Sequence, residues 1–105
     1  MASRGQIRGA ILDGPLAFDN AISAEAAHVK GIESPVAGDA DILVVPDLEA
    51  GNMLAKQLEY LAGAASCGVV GGARVPIALT SRADGAASRM ASVALAALLA
   101  PRTAA

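Results

Sequence analysis

The residues best equipped for chemistry fall in three polar turns. The first, Thr80-Ser81-Arg82-Ala83-Asp84-Gly85, sets a hydroxyl, a guanidinium and a carboxylate close together ahead of an apolar, helix-like run. The second is Pro46-Asp47-Leu48-Glu49-Ala50-Gly51-Asn52, and the third is Asp13-Gly14-Pro15-Leu16-Ala17-Phe18-Asp19-Asn20. Each is read as leaving a strand and entering a helix. A helix N-terminus presents unpaired N–H groups and the positive end of the helix dipole, and an arginine beside it suits a phosphate dianion. Ser81-Arg82 is therefore a candidate phosphoryl site. In a parallel sheet all three turns emerge on the same edge, where α/β sheets bind ligands. Asp13, Asp47 and Ser81-Arg82 are expected to share that rim and face an anionic ligand.

Plainer roles compete for the same residues. Ser81-x-x-Asp84 fits the capping-box spacing with Asp in place of the usual Glu. Asp47 is a competent N-cap, and Asp13-Gly14-Pro15 needs no more explanation than a turn. Gly71-Gly72 lacks the G-x-G-x-x-G spacing of a dinucleotide site. His28 stands alone, so no second histidine supports a metal site, and it reads as a surface or helix-end residue. Cys67 reads as a buried small hydrophobe. No Ser-His-Asp set is present to assemble. The residues by themselves point to an anion-binding α/β domain.

The element expected to organise the chain is Asp41-Ile42-Leu43-Val44-Val45, an aliphatic run read as a strand buried on both faces. Pro46 stops it, having no N–H for a neighbouring ladder. Beyond the Asp47 turn, Leu54, Leu58 and Leu61 form one apolar stripe of a helix running to about Ala65, with Lys56 and Glu59 off that stripe. Ile7 to Leu12 reads as a further short strand. Phe18 to Val29 reads as a helix capped by Asp19 or Ser23, with no capping box because Ala26 sits at N3 of the second alternative. Gly31 to Asp39 reads as loop. Cys67 to Val70 and Val75 to Thr80 read as strands, the latter starting at Pro76 as an edge or strand start. Gly85 to Leu99 reads as a final helix with Met90, Val93, Ala94, Ala97 and Leu98 on one face. Pro101 terminates it, and Arg102 to Ala105 reads as a frayed tail. Strands alternating with helices give α/β with a mostly parallel sheet flanked by helices.

Bulk properties bound the function. At 105 residues the chain suffices for one domain, and a net charge of −2 leaves no basic footprint for nucleic acid. A single cysteine excludes an intrachain disulfide and suits a reducing compartment. The longest uncharged apolar run, Met90 to Ala100, falls short of the ~20 residues a bilayer demands, and the N-terminus lacks a signal-type run. The expected location is cytoplasmic, with no membrane contact. Apolar residues make up 54% of the chain, against a usual figure of about 45–50% that also counts Gly. Phe18 and Tyr60 are the only aromatics. That composition suits thin layers of helix on sheet, or faces that belong against something else.

Four stretches together resemble successive motifs of the phosphate acetyltransferase and butyryltransferase family, in its order and spacing. They are Asp13-Gly14-Pro15-Leu16-Ala17-Phe18-Asp19-Asn20-Ala21, Ser34-Pro35-Val36-Ala37-Gly38-Asp39-Ala40-Asp41-Ile42-Leu43, Pro46-Asp47-Leu48-Glu49-Ala50-Gly51-Asn52-Met53 and Val75-Pro76-Ile77-Ala78-Leu79-Thr80-Ser81-Arg82-Ala83-Asp84. The resemblance runs from about residue 4 to residue 99, and the Thr-Ser-Arg-Ala-Asp wording is closer to the butyryltransferase branch.

The resemblance implies an enzyme that reversibly transfers a short acyl group, butyryl or acetyl, between coenzyme A and inorganic phosphate. It implies the isocitrate/isopropylmalate dehydrogenase-like fold of two α/β lobes around a cleft, and a homodimer. Coenzyme A and acyl phosphate are substrates, and no permanently bound cofactor or metal is expected. By motif, Ser81 would hydrogen-bond the thiol or reacting group, and Arg82 would bind phosphate. Lys56 falls where the family has a lysine near the coenzyme A site. Asp47 and Asn52 would shape the cleft wall. Acetyltransferase members carry an acidic residue seven positions after the Ser of the Ser-Arg pair, where this sequence has Ser88, so the general base falls to Asp84 or is lacking. The family's chain is much longer, and this sequence corresponds to its C-terminal part. Residues 1–74 would belong to the second lobe, and residues 75–105 would return to the first. The alternative reading is a non-catalytic fragment or pseudo-enzyme that binds coenzyme A or phosphate.

Overall fold

A computed structural model describes residues 1–101; the expected frayed tail lies outside the described residues. The chain forms two compact units, Met1–Val45 and Pro46–Ala105.

The first unit is built on two short helices, α1 (Phe18–Ile22) and α2 (Ala24–Val29), which pack on each other. They replace the single expected helix because Ser23 is extended, and its hydroxyl accepts the Ala26 N–H at 3.2 Å. Serine competes with the backbone in this way and starts helices better than it continues them. The turn over Ser34 to Ala40 closes on α1, with Gly38 N–H donating to Asn20 C=O at 2.7 Å and Ala40 N–H to Ala21 C=O at 3.1 Å. Asn20, Ala21 and Ala27 are the buried residues. A Cβ on Gly38 would sit 2.5 Å from the Ala24 Cα, so only glycine allows this approach.

The second unit holds helix α3 (Leu48–Tyr60), strands β1 (Gly68–Val70) and β2 (Ile77–Leu79), and helix α4 (Ala86–Leu99). Asp47 caps α3, its Oδ1 accepting the Ala50 N–H at 2.7 Å, and Glu49 in the first turn complements the dipole. The helix ends at Tyr60, ahead of the expected limit near Ala65. Gly63 there takes φ 67, and the Ala64 N–H reaches back to the Leu58 carbonyl at 3.0 Å. The strands pair with Gly68 opposite Leu79 and Val70 opposite Ile77, and β2 begins directly after Pro76.

Two expectations about the sheet are corrected. The sheet formed among the described residues is a single antiparallel pair. Ile7 to Leu12 and Ile42 to Val45 make no strands; Ile42 is 77% and Val44 90% exposed. An aliphatic run becomes a strand only when neighbouring ladders take up its N–H and C=O groups, and none does so here. The Met90, Val93 and Leu98 face of α4 is also exposed, with Leu98 at 82%. The helix instead turns Ser88, Ser92, Leu95 and Ala96 away from solvent, three of them small. Ser92 is fully buried, and α4 packs on both strands. Small side chains permit close approach of helix to sheet, and Met90, Val93 and Leu98 are left on the outer face.

No helix among the described residues is long and apolar enough to cross a membrane.

Candidate functional site

Within the second unit, α3, the start of β1 and the turn after β2 border a shallow cleft of about 350 Å³. Helix α3 contributes Ala55, Lys56 and Glu59. The approach to β1 contributes Ser66, Cys67 and Gly68, and the end of β2 with its turn contributes Leu79, Thr80, Ser81 and Asp84. Each wall has a local cause. The Asp47 cap fixes where α3 begins, and so the turn on which Lys56 and Glu59 sit. The antiparallel pairing sets Gly68 against Leu79, bringing the two strand ends to one border.

Lys56 Nζ donates to Glu59 Oε2 at 2.8 Å and lies 5.5 Å from the centroid of the Tyr60 ring. The hydrogen bond to Glu59 is the chief cause that holds the Lys56 ammonium above its ordinary pKa, with the Asp84 charge adding to it. The cleft therefore carries one cation already engaged by a carboxylate, together with the carboxylates of Glu59 and Asp84.

The turn Ser81-Arg82-Ala83-Asp84 is bonded within itself. Asp84 Oδ2 accepts the Ser81 N–H at 2.7 Å, the Ser81 hydroxyl accepts the Ala83 N–H at 3.3 Å, and the Asp84 N–H donates to the Ser81 carbonyl at 3.2 Å. This is half of a capping box, completed one turn before the helix. The N-cap of α4 is Gly85, with no side-chain cap bond. Ser81 thus orders a turn and does not cap the helix.

Of the residues singled out by sequence, Lys56, Ser81 and Asp84 line the cleft together. Arg82 is exposed on the same turn, outside the lining. Asp47 caps α3 and Asn52 is exposed on that helix; neither lines the cleft. Asp13 belongs to the first unit, where the Ser34 hydroxyl and then the Gly14 N–H hold its carboxyl below the ordinary value. Cys67, expected to be buried, is exposed at the cleft edge, because it precedes β1 and so lies ahead of the strand pair on which α4 packs.

Sequence reasoning missed Arg89. Its Nε donates to the Asp84 carbonyl at 3.0 Å, and its Nη2 donates to the Ser81 and Arg82 carbonyls at 3.3 and 3.4 Å. A signal existed: a basic residue in the first turn of a helix opposes the dipole preference and calls for a local acceptor. Chemically, the cleft combines hydroxyls, a thiol and two carboxylates, one of them paired with Lys56. An exposed guanidinium lies on the adjoining turn.

A sequence model of the family described as phosphate acetyl/butaryl transferase matches residues 1–97. The chain is 69% identical over 102 residues to a phosphate acetyltransferase of Rhizobium meliloti, covering 97% of this chain and 32% of that protein. It is 51% identical to a phosphate butyryltransferase of Clostridium beijerinckii, covering 97% of this chain and 34% of that protein. Among solved structures it resembles the crystal structure of a branched-chain phosphotransacylase from Enterococcus faecalis V583, with a TM-score of 0.71 and 44% identity, covering 80% of this chain and 32% of that chain. The chain spans about a third of the length of the curated relatives it matches.

Proposed function

Because the chain belongs to the phosphate acetyl/butyryl transferase family, we propose that it is the portion of a phosphate acyltransferase that carries the Ser81-Arg82 turn. The reaction is reversible transfer of a short acyl group, butyryl or acetyl, between coenzyme A and inorganic phosphate. The observation that carries this reading is the shared border of Lys56, Ser81 and Asp84 on one open cleft, with Arg82 on the same turn.

The proposed step is attack of the coenzyme A sulfur on the acyl carbon of an acyl phosphate. A C–S bond forms, the C–O bond to phosphorus breaks, and phosphate leaves with the electron pair. Asp84 takes the thiol proton, which later passes to the departing phosphate. One of its oxygens already accepts the Ser81 N–H, leaving Oδ1 for that proton. The Ser81 hydroxyl hydrogen-bonds the thiol or the reacting group. Arg82 neutralises charge on the phosphate as it develops, the role in which a positioned cation is most effective. Lys56 exchanges Glu59 for an anionic group of coenzyme A.

The wider assembly is part of the same proposal. Residues 1–74 correspond to the second of two lobes and residues 75–105 return to the first, in a homodimer of the isocitrate/isopropylmalate dehydrogenase-like fold. The exposed run Ile42 to Val45 would there gain ladder partners in a mostly parallel sheet. A second reading, a non-catalytic fragment that binds coenzyme A or phosphate, is favoured by Arg82 lying outside the cleft lining that Lys56, Ser81 and Asp84 share.

The test supplies coenzyme A and butyryl phosphate and follows thioester formation. The 105-residue chain alone is expected to give little or no turnover. Spliced in place of the matching segment of a full-length relative, it is expected to support turnover that falls about a hundredfold in Arg82→Ala, the scale of losing one transition-state charge donor. A folded chimera with saturable coenzyme A binding and no turnover supports the second reading.

A further inference from the structure

We infer that Arg89 is a positioning residue for this site: its guanidinium holds the Ser81–Asp84 turn in the shape that offers Ser81 and Arg82 to an anionic substrate. The inference rests on the acyltransferase reading and extends it to a residue with no assigned part.

The geometry is specific. Nε meets the Asp84 carbonyl at 3.0 Å, while Nη2 is shared by the Ser81 and Arg82 carbonyls at 3.3 and 3.4 Å. One planar fork therefore gathers three carbonyls of a single turn, a task for which five fixed N–H donors suit arginine and a lysine point charge does not. No carboxylate competes for the guanidinium, since the salt bridges among the described residues are Lys30 with Asp19 and Lys56 with Glu59. Its charge is thus directed onto the turn.

Two consequences follow for an anion. Carbonyl oxygens gathered toward Arg89 cannot face the substrate, which removes a repulsive surface from the site. The positive charge lies behind the turn that carries Arg82 and adds to the field an anion meets there. The Asp84 carboxylate on the Ser81 N–H at 2.7 Å and the Ser81 hydroxyl on the Ala83 N–H at 3.3 Å complete a turn braced from both sides. Arg89 touches no substrate and acts through Ser81 and Arg82.

The test titrates the isotope-labelled chain with inorganic phosphate, reads the Ser81 and Arg82 amide signals, and measures hydrogen exchange at Ser81 and Ala83. In Arg89→Ala, phosphate affinity is expected to fall about tenfold or more, the scale of a lost hydrogen bond to a charged group. Ser81 and Ala83 are expected to lose protection while the interior of α4 keeps its own. Added guanidinium ion is expected to restore phosphate affinity in Arg89→Ala. Arg89→Lys, which keeps the charge without the fork, is expected to fall between the two. Arg74→Ala, which removes one exposed charge from the β1–β2 loop, serves as the net-charge control and is expected to bind phosphate as wild type does. Unchanged affinity in Arg89→Ala overturns the assignment, whether or not protection falls. Equal weakening in Arg74→Ala also overturns it, since net charge alone then suffices. A wild-type chain that ignores phosphate overturns the placing of a phosphate site on the Ser81–Arg82 turn, and the Arg89 assignment with it.

Discussion

The Gly68 N–H donates to the Ser92 hydroxyl at 3.0 Å, and the same hydroxyl donates to the Ser88 carbonyl at 2.9 Å. Ser92 is fully buried, and Gly68 is both the first residue of β1 and part of the cleft lining. One serine therefore ties the cleft to α4. Ser92→Ala leaves the Gly68 N–H without its acceptor and is expected to lower stability by about 1–3 kcal/mol. Urea denaturation followed by circular dichroism measures this, and a midpoint equal to wild type contradicts it.

Gly38→Ala is expected to destabilise the first unit. Gly38 holds φ 87, and a Cβ there would meet Ala24 backbone atoms at 2.5 and 2.7 Å. The left-handed backbone alone costs about 1–2 kcal/mol for a residue with a side chain, and the clash adds to it. Amide exchange at Gly31 and Ile32, whose N–H groups bond back to α2, should accelerate while α4 is unaffected.

How much of this was legible in sequence depended on how local the cause was. Asp47, Ser23, Pro76, Gly85 and Pro101 act on their own neighbours, so helix starts, strand starts and the final helix were readable. The Ser81–Asp84 pairing was readable as a spacing, although the helix begins later than a capping box implies. The Ile42–Val45 run records burial that depends on partners distant in the chain, so its pattern did not translate into a strand. The face α4 buries was not legible for the same reason: it centres on Ser92 and is mostly small, so hydrophobic spacing does not mark it. Arg89 escaped notice because its acceptors are carbonyls, which sequence does not distinguish.

Acid should weaken the first unit through Asp19. The hydrogen bond from Lys30 is the chief cause that holds its carboxyl below the ordinary 3.8. A depressed carboxyl pKa means that the unfolded chain takes up the proton first as pH falls. The contribution is therefore complete above about pH 3.8 and is lost as pH drops through the folded value. Lys30→Met should raise the Asp19 pKa toward 3.8 in an NMR titration; an unchanged value contradicts the pairing.

Lys56 behaves with the opposite sign. Its raised pKa, caused first by Glu59, means that its contribution is present below the ordinary 10.5 and lost as pH rises through the folded value. Glu59→Gln should return the ammonium toward 10.5 with little change in stability, as expected for a half-buried pair that solvent still reaches. In the proposed function Glu59 competes with an anionic group of coenzyme A for Lys56, so the same variant should bind coenzyme A more tightly.

In the proposed function Ser81, Arg82 and Lys56 receive the anionic groups of coenzyme A and an acyl phosphate. Titrating coenzyme A and then butyryl phosphate into the isotope-labelled chain measures this. Saturable shifts at Ser81, Arg82 and Lys56, weakened about tenfold or more in Arg82→Ala, are the predicted result. Signals that stay still, or that move equally in Arg82→Ala, would contradict it.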